Sequence, residues 1–111
     1  MSGELTAKIC VPCRGGTPPL SRAEAEPYLG EIPDWHLAED ASRIAREFKF
    51  GNFAEALDFV NRVGALAEDE GHHPDIEFGW GYARVTLFTH KIKGLHENDF
   101  IMAAKTDALA R

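Results

Sequence analysis

Two things are scarce in this chain: cysteine and uninterrupted apolar sequence. Only Cys10 and Cys13 occur among 111 residues. Their C-x-x-C spacing supplies half of a four-ligand zinc site. Pro12 and the following Arg14-Gly15-Gly16 do not read as the helix start that a redox C-x-x-C pair needs. The pair is therefore expected to be two thiols in a mobile N-terminal arm, with a metal shared between subunits as the alternative. No apolar run approaches the roughly 18 residues of a membrane helix, and Met1 to Lys8 lacks the charged-then-apolar pattern of a secretory signal. No membrane association and a cytoplasmic location are expected.

Positive charge is also short. Twelve Lys and Arg face eighteen Asp and Glu, for a net charge of −6, and the basic residues form no stripe. Nucleic-acid binding depends on neutralising phosphates, so direct binding is not expected. What is present is ordinary globular sequence, 44% hydrophobic and 27% charged, long enough for one domain with a single core.

Residues 1–19, with Gly15, Gly16, Pro18 and Pro19, read as an irregular arm, and residues 20–111 as the folded domain. Ser21 and Glu24 make a capping-box pattern for a short helix ended by Gly30 and Pro33. Trp35–Ala38 and Ile44–Phe50 alternate as a β-hairpin about Asp40-Ala41-Ser42. Asn52 and Glu55 cap a helix running to about Glu70. Its apolar positions Phe53, Ala56, Leu57, Val60, Val63, Gly64 and Ala67, widened by Phe59 and Leu66, span half the circumference. An arc that wide predicts burial against the sheet and against something more, such as another subunit. Gly71 is the expected left-handed cap.

Ile76, Phe78 and Trp80 mark a third strand, Tyr82–His90 a fourth, and Glu97–Ala110 a last helix with Phe100, Ile101, Ala104 and Ala108 as its stripe. The order α-β-β-α-β-β-α predicts an α+β, two-layer fold: a four-stranded antiparallel sheet with three helices on one face.

Three histidines stand at element ends, where side chains line a pocket without breaking the core. His72 and His73 follow the Gly71 cap. Pro74 forces His73 into extended backbone, so adjacent rings point different ways and serve different purposes. His90 ends the fourth strand. Imidazoles exchange protons near neutral pH, and three of them suit loss of water from a small molecule. The same trio would suit zinc, although H-H-x16-H lacks the i, i+4 helical pair. Each one singly also fits a hydrogen-bonded structural residue.

The spacing of Glu68, His72-His73-Pro74, Trp80, His90 and Asp99 resembles that of the pterin-4a-carbinolamine dehydratases. The flanking stretches F-K-F-G-N-F-A-E-A-L-D-F-V and V-T-L-F-T-H-K-I-K-G-L are similar to that family too, from about Leu20 to the C-terminus. The resemblance implies dehydration of a 4a-hydroxytetrahydropterin to quinonoid dihydropterin, with no metal or organic cofactor. It implies His72 and His90 as the acid–base pair and His73 as the residue that binds or orients the pterin. Glu68, Pro74 and Thr89 complete the substrate-binding set, with Glu68 hydrogen-bonded to a histidine. Trp80 is expected in the core or the pocket wall, and Asp99 as a residue stabilising the last helix. The family commonly has Ser or Thr where His96 stands, which puts the start of that helix in question. A homodimer or homotetramer is implied. The alternative function is a non-catalytic dimerisation or assembly cofactor on the same fold.

Overall fold

A computed structural model describes residues 3–11 and 15–110. Helix α1 (Gly3–Thr6) and helix α2 (Arg22–Leu29) precede strands β1 (His36–Leu37) and β2 (Ile44–Lys49). Helix α3 (Phe53–Glu70), strands β3 (Asp75–Gly79) and β4 (Tyr82–Leu87), a 3-10 turn (His90–Ile92) and helix α4 (Glu97–Leu109) follow. The fold is α+β, with the expected order of three main helices and four antiparallel strands. The sheet order is β1-β2-β4-β3.

The two hairpins join through β2 and β4, which pair over six residues with Ile44 opposite Leu87 and Phe48 opposite Ala83. Strand β4 is therefore interior, and its inward residues Ala83, Val85 and Leu87 are fully buried. They share one core with Ile44, Phe48, Phe59, Val63 and Phe100. Phe48 and Phe50 both lean on Phe59, with ring centroids 4.6 and 5.1 Å apart. Burying side chains of this size contributes about 1.5–3 kcal/mol each.

Local signals set the helix ends. Ser21 and Glu24 form the capping box of α2. Asn52 Oδ1 accepts the Glu55 N–H at 2.8 Å, while Glu55 Oε1 reaches back to the Gly51 N–H. Gly71 closes α3 at φ 68°, a left-handed conformation in which a Cβ is penalised. The β3–β4 hairpin turns through Trp80 and Gly81, the latter at φ 81°.

Several expectations need correction. The N-terminal segment read as irregular contains one helical turn, α1, whose Leu5 is buried in the core. Trp80 lies beyond β3, in the turn, and is 72% exposed; it belongs to neither core nor pocket wall. The ladder of β4 ends at Leu87 rather than His90. Beyond it, Thr89 pairs only with Gly94, and the chain winds into the 3-10 turn. Helix α4, not α3, is the helix buried nearly all round. Asn98 to Ala104, Thr106 and Asp107 are buried, whereas Ala108 is exposed. A four-residue stripe understates a helix that packs against α1, α3 and the sheet at once. Helix α3 buries Ala56, Phe59, Val63 and Ala67 and leaves Phe53 and Leu57 on its outer side.

Candidate active site

The site begins where α3 stops. Gly71 and His72 both donate their N–H to the Ala67 carbonyl, which reverses the chain. Pro74 then holds His73 extended, and the two rings diverge. The His72 side chain is 11% exposed and that of His73 is 59% exposed. His72 turns inward to the first turn of α4, where its Nε2 meets Asp99 Oδ1 at 2.6 Å. His73 turns outward and back along α3, where its Nε2 meets Glu68 Oε2 at 2.5 Å. Each ring thus has one nitrogen engaged by a carboxylate, an arrangement that fixes tautomer and orientation.

Asp99 is fully buried and serves three donors. Besides His72, its Oδ2 accepts the Thr89 hydroxyl at 2.8 Å and the His96 N–H at 3.0 Å. A buried carboxylate needs this many partners. Its role is larger than helix stabilisation, because it joins the end of α3, the end of β4 and the start of α4 at one point. The doubt over His96 is also resolved. Its Nδ1 accepts the Asn98 N–H at 3.0 Å, and with Asp99 it completes a capping box. An imidazole lone pair does here what a hydroxyl oxygen does elsewhere.

His90 opens the 3-10 turn, exposed, with its ring 4.1 Å from that of Phe88. The loop that presents it is closed by reciprocal hydrogen bonds between Thr89 and Gly94. Gly94 admits no side chain, since a Cβ would stand 2.4 Å from Pro19 Cβ.

The three rings line one pocket of about 450 Å³, shared with Cys10, Val11, Glu70, Thr89, Lys91 and Asn98. That size suits a small organic molecule. Of the expected site residues, Thr89 reaches the pocket with its hydroxyl hydrogen already committed to Asp99. Glu68 is paired with His73, and half-buried Pro74 shapes the backbone; both stand outside the lining. A depression of about 540 Å³ lies beside Asp34, His36, Ala45, Arg46, Glu47 and Arg84. Its charges are largely spent on each other and on neighbours, Arg46 on Asp107 and Asp34 and Glu47 on Lys49, and it holds one histidine. Among the described residues, no group of three or more His, Cys, Asp or Glu side chains is placed to hold a metal ion.

Sequence reasoning passed over Glu70 and its partner. Glu70 lies on the buried face of α3, seven residues after Val63 and three after Ala67, so the helical period could have found it. Its Oε2 accepts from Lys105 Nζ at 2.6 Å, with the two side chains 8% and 16% exposed, and its Oε1 accepts the Cys10 N–H at 2.8 Å. Burial alone would raise the Glu70 pKa. The Cys10 N–H and the Lys105 ammonium outweigh it, and the carboxyl is held below its ordinary 4.5. Depression means that this pair stabilises the fold above pH 4.5 and that the contribution is lost as pH falls through the folded-state value. Replacing Lys105 with Met should therefore cost about 3 kcal/mol at pH 7, because a buried charge is left uncompensated. The loss should shrink as pH falls, because Glu70 without the ammonium takes up a proton more readily than it does in the unaltered chain. Urea unfolding of both proteins at pH 7 and pH 4 checks this.

The geometry defines a class: a two-layer α+β domain with three imidazoles, two of them carboxylate-backed, around a pocket for a small molecule. The profile of the family described as pterin 4 alpha carbinolamine dehydratase matches residues 18–109, and the chain belongs to that family. A protein of Cupriavidus pinatubonensis, provisionally named pterin-4-alpha-carbinolamine dehydratase 1, is 63% identical over 99% of this chain and 95% of its own. A protein of Methylococcus capsulatus with the same provisional activity is 62% identical over 96% and 93%. A Brucella melitensis crystal structure, described as a transcriptional coactivator/pterin dehydratase, superimposes with TM-score 0.79 at 32% identity, covering 84% of this chain and 99% of its own. A pterin dehydratase-like protein identified as a RuBisCO assembly factor in the α-carboxysome gives TM-score 0.60, also at 32% identity, over 69% of this chain and 89% of its own.

Proposed function

We propose that this chain is a hydro-lyase that dehydrates 4a-hydroxytetrahydropterins to quinonoid dihydropterins. The observation that carries the reading is the gathering of His72, His73 and His90 around one pocket of about 450 Å³, in a chain of this family. The reaction breaks the C4a–O bond. The lone pair of the neighbouring ring nitrogen displaces the hydroxyl, which leaves as water once protonated, and the proton on that nitrogen departs. Nothing is oxidised or reduced, so proton carriers suffice and no cofactor is required.

In this reading His72 and His90 are the acid–base pair. Asp99 holds the Nε2 side of His72, which leaves Nδ1 for proton exchange. His73, steadied by Glu68, binds the pterin, and Pro74 and Thr89 shape its seat. Positioned acid–base groups of this kind contribute about 10²–10⁴-fold in rate.

A homodimer or homotetramer is part of the proposal. Phe53 and Leu57 are 45% and 38% exposed, and Phe53 lies against Phe78 with ring centroids 5.6 Å apart. The same patch supports the second reading, a non-catalytic dimerisation or assembly cofactor. We take the cytoplasm as the compartment; no helix among the described residues is long and apolar enough to cross a membrane.

The test is direct. Purified protein is added to a freshly generated 4a-hydroxytetrahydropterin, and quinonoid dihydropterin is followed by ultraviolet absorbance. Acceleration over the buffer rate supports the hydro-lyase. A rate equal to buffer, from folded protein, removes it and leaves the cofactor reading.

A further inference from the structure

One side of the pocket is built from sequence outside the family profile. The profile match begins at residue 18, yet Cys10 and Val11 line the pocket beside the imidazoles. This segment is held at successive points. Lys8 Nζ donates to Glu97 Oε2 at 2.5 Å, and the Cys10 N–H donates to Glu70 Oε1 at 2.8 Å. The Val11 N–H donates to Asn98 Oδ1 at 3.0 Å, while Asn98 Nδ2 donates to the Val11 carbonyl at 2.6 Å. Behind them Leu5 is seated in the core.

The cost of these contacts points to their purpose. Asn98 is 2% exposed, and both ends of its amide are spent on the backbone of one residue in another segment. Glu70, whose side chain is 8% exposed, commits one oxygen to the same segment. Buried polar groups are expensive unless paired, so their placement opposite the backbone of Cys10 and Val11 defines where that backbone must run. Asn98 also directly precedes Asp99, the residue that holds His72. One turn of α4 therefore sets the segment and the ring in register.

We propose that residues 8–11 form a fixed wall of the substrate pocket, with Asn98 as the positioning residue, and that this wall sets how tightly the pterin is held without moving protons. The proposal rests on the dehydratase reading. The chemistry of the wall fits it. The Cys10 thiol is pushed up to about 12, by burial first and then by the Glu70 charge, so at neutral pH it stays protonated and lies 3.7 Å from the Asn98 carbonyl as a weak donor. Val11 is apolar and 52% exposed. Cys10 and Val11, the two residues of the segment that line the pocket, are uncharged and contact a ring or its aliphatic substituent by packing.

Two variants test it: the chain lacking residues 1–11, and Asn98→Ala, which keeps Leu5 seated should the deletion fail to fold. Each is assayed for kcat and KM on the hydroxypterin, and for Kd with 7,8-dihydrobiopterin. KM and Kd should rise about tenfold while kcat stays within about twofold, the pattern of lost uniform binding. Unchanged KM and Kd in folded Asn98→Ala overturn the proposal, as does a parallel fall in kcat. Failure of the dehydratase reading would look different: the unaltered chain would neither dehydrate nor bind dihydrobiopterin. In that event amide hydrogen exchange decides. Protection at Cys10 and Val11 that is lost in Asn98→Ala upholds a fixed wall, and unprotected amides in the unaltered chain refute it.

Discussion

Replacing Asp99 with Asn should lower kcat by about 10²–10⁴-fold while leaving the fold in place. The substitution is nearly isosteric, so the loss follows from hydrogen-bond direction. Asp99 now accepts from three donors, two of them on Oδ2. An asparagine keeps the Thr89 hydroxyl and the His96 N–H satisfied by placing its oxygen where Oδ2 is. Its NH2 then faces His72 Nε2. Two donors cannot face each other, so the ring must move its proton to Nδ1, the nitrogen assigned to proton exchange. The imidazole remains in place with the wrong tautomer, the failure known when a catalytic histidine loses its carboxylate. Losing one charge-assisted bond should also cost about 1.5–3 kcal/mol of stability. Nitrogen-15 chemical shifts of His72 report the tautomer, and stopped-flow absorbance reports the rate. A flipped tautomer with undiminished kcat would show that His72 is not a proton carrier.

Removing the exposed imidazoles should separate catalysis from folding. His90 is exposed, and the His73 side chain is 59% exposed and paired with a Glu68 side chain that is 77% exposed. Truncating either to Ala should change stability by no more than about 0.5 kcal/mol, as for other surface positions. His90→Ala should nonetheless lower kcat by about 10²–10⁴-fold. His73→Ala should act mainly by raising KM, because a residue that only holds substrate lowers ground state and transition state alike. Glu68→Gln should reproduce the His73 effect in weaker form. Steady-state kinetics with parallel urea unfolding gives both answers. Should His90→Ala retain full kcat, the acid–base pair must be sought elsewhere in the pocket.

Both predictions use residues visible in the sequence, but the contacts that give them their roles were not equally visible. The divergence of His72 and His73 was legible because Pro74 constrains its neighbour locally. That Glu68 bonds a histidine was expected; that the histidine is His73, five residues on, came from the structure. The partnership of His72 with Asp99 spans 27 positions, and nothing near either residue announces it. Asp99 taken alone resembles any acidic residue in the first turn of a helix. Trp80 shows the opposite failure: its parity continued that of Ile76 and Phe78, yet the turn began one residue earlier and turned it out to solvent.

By itself the sequence determined the kinds and order of elements, the caps at Ser21, Asn52 and Gly71, and where the imidazoles stand along the chain. Those properties arise from a few neighbouring dihedral angles and side chains, so a single chain segment contains them. Only the tertiary structure decided that β2 pairs with β4, that α4 rather than α3 is enclosed, and that Cys10 and Val11 line a pocket with Asn98 and Glu70. Each of these depends on contacts between distant segments, chosen by how well whole surfaces pack together and leave no buried polar group unpaired.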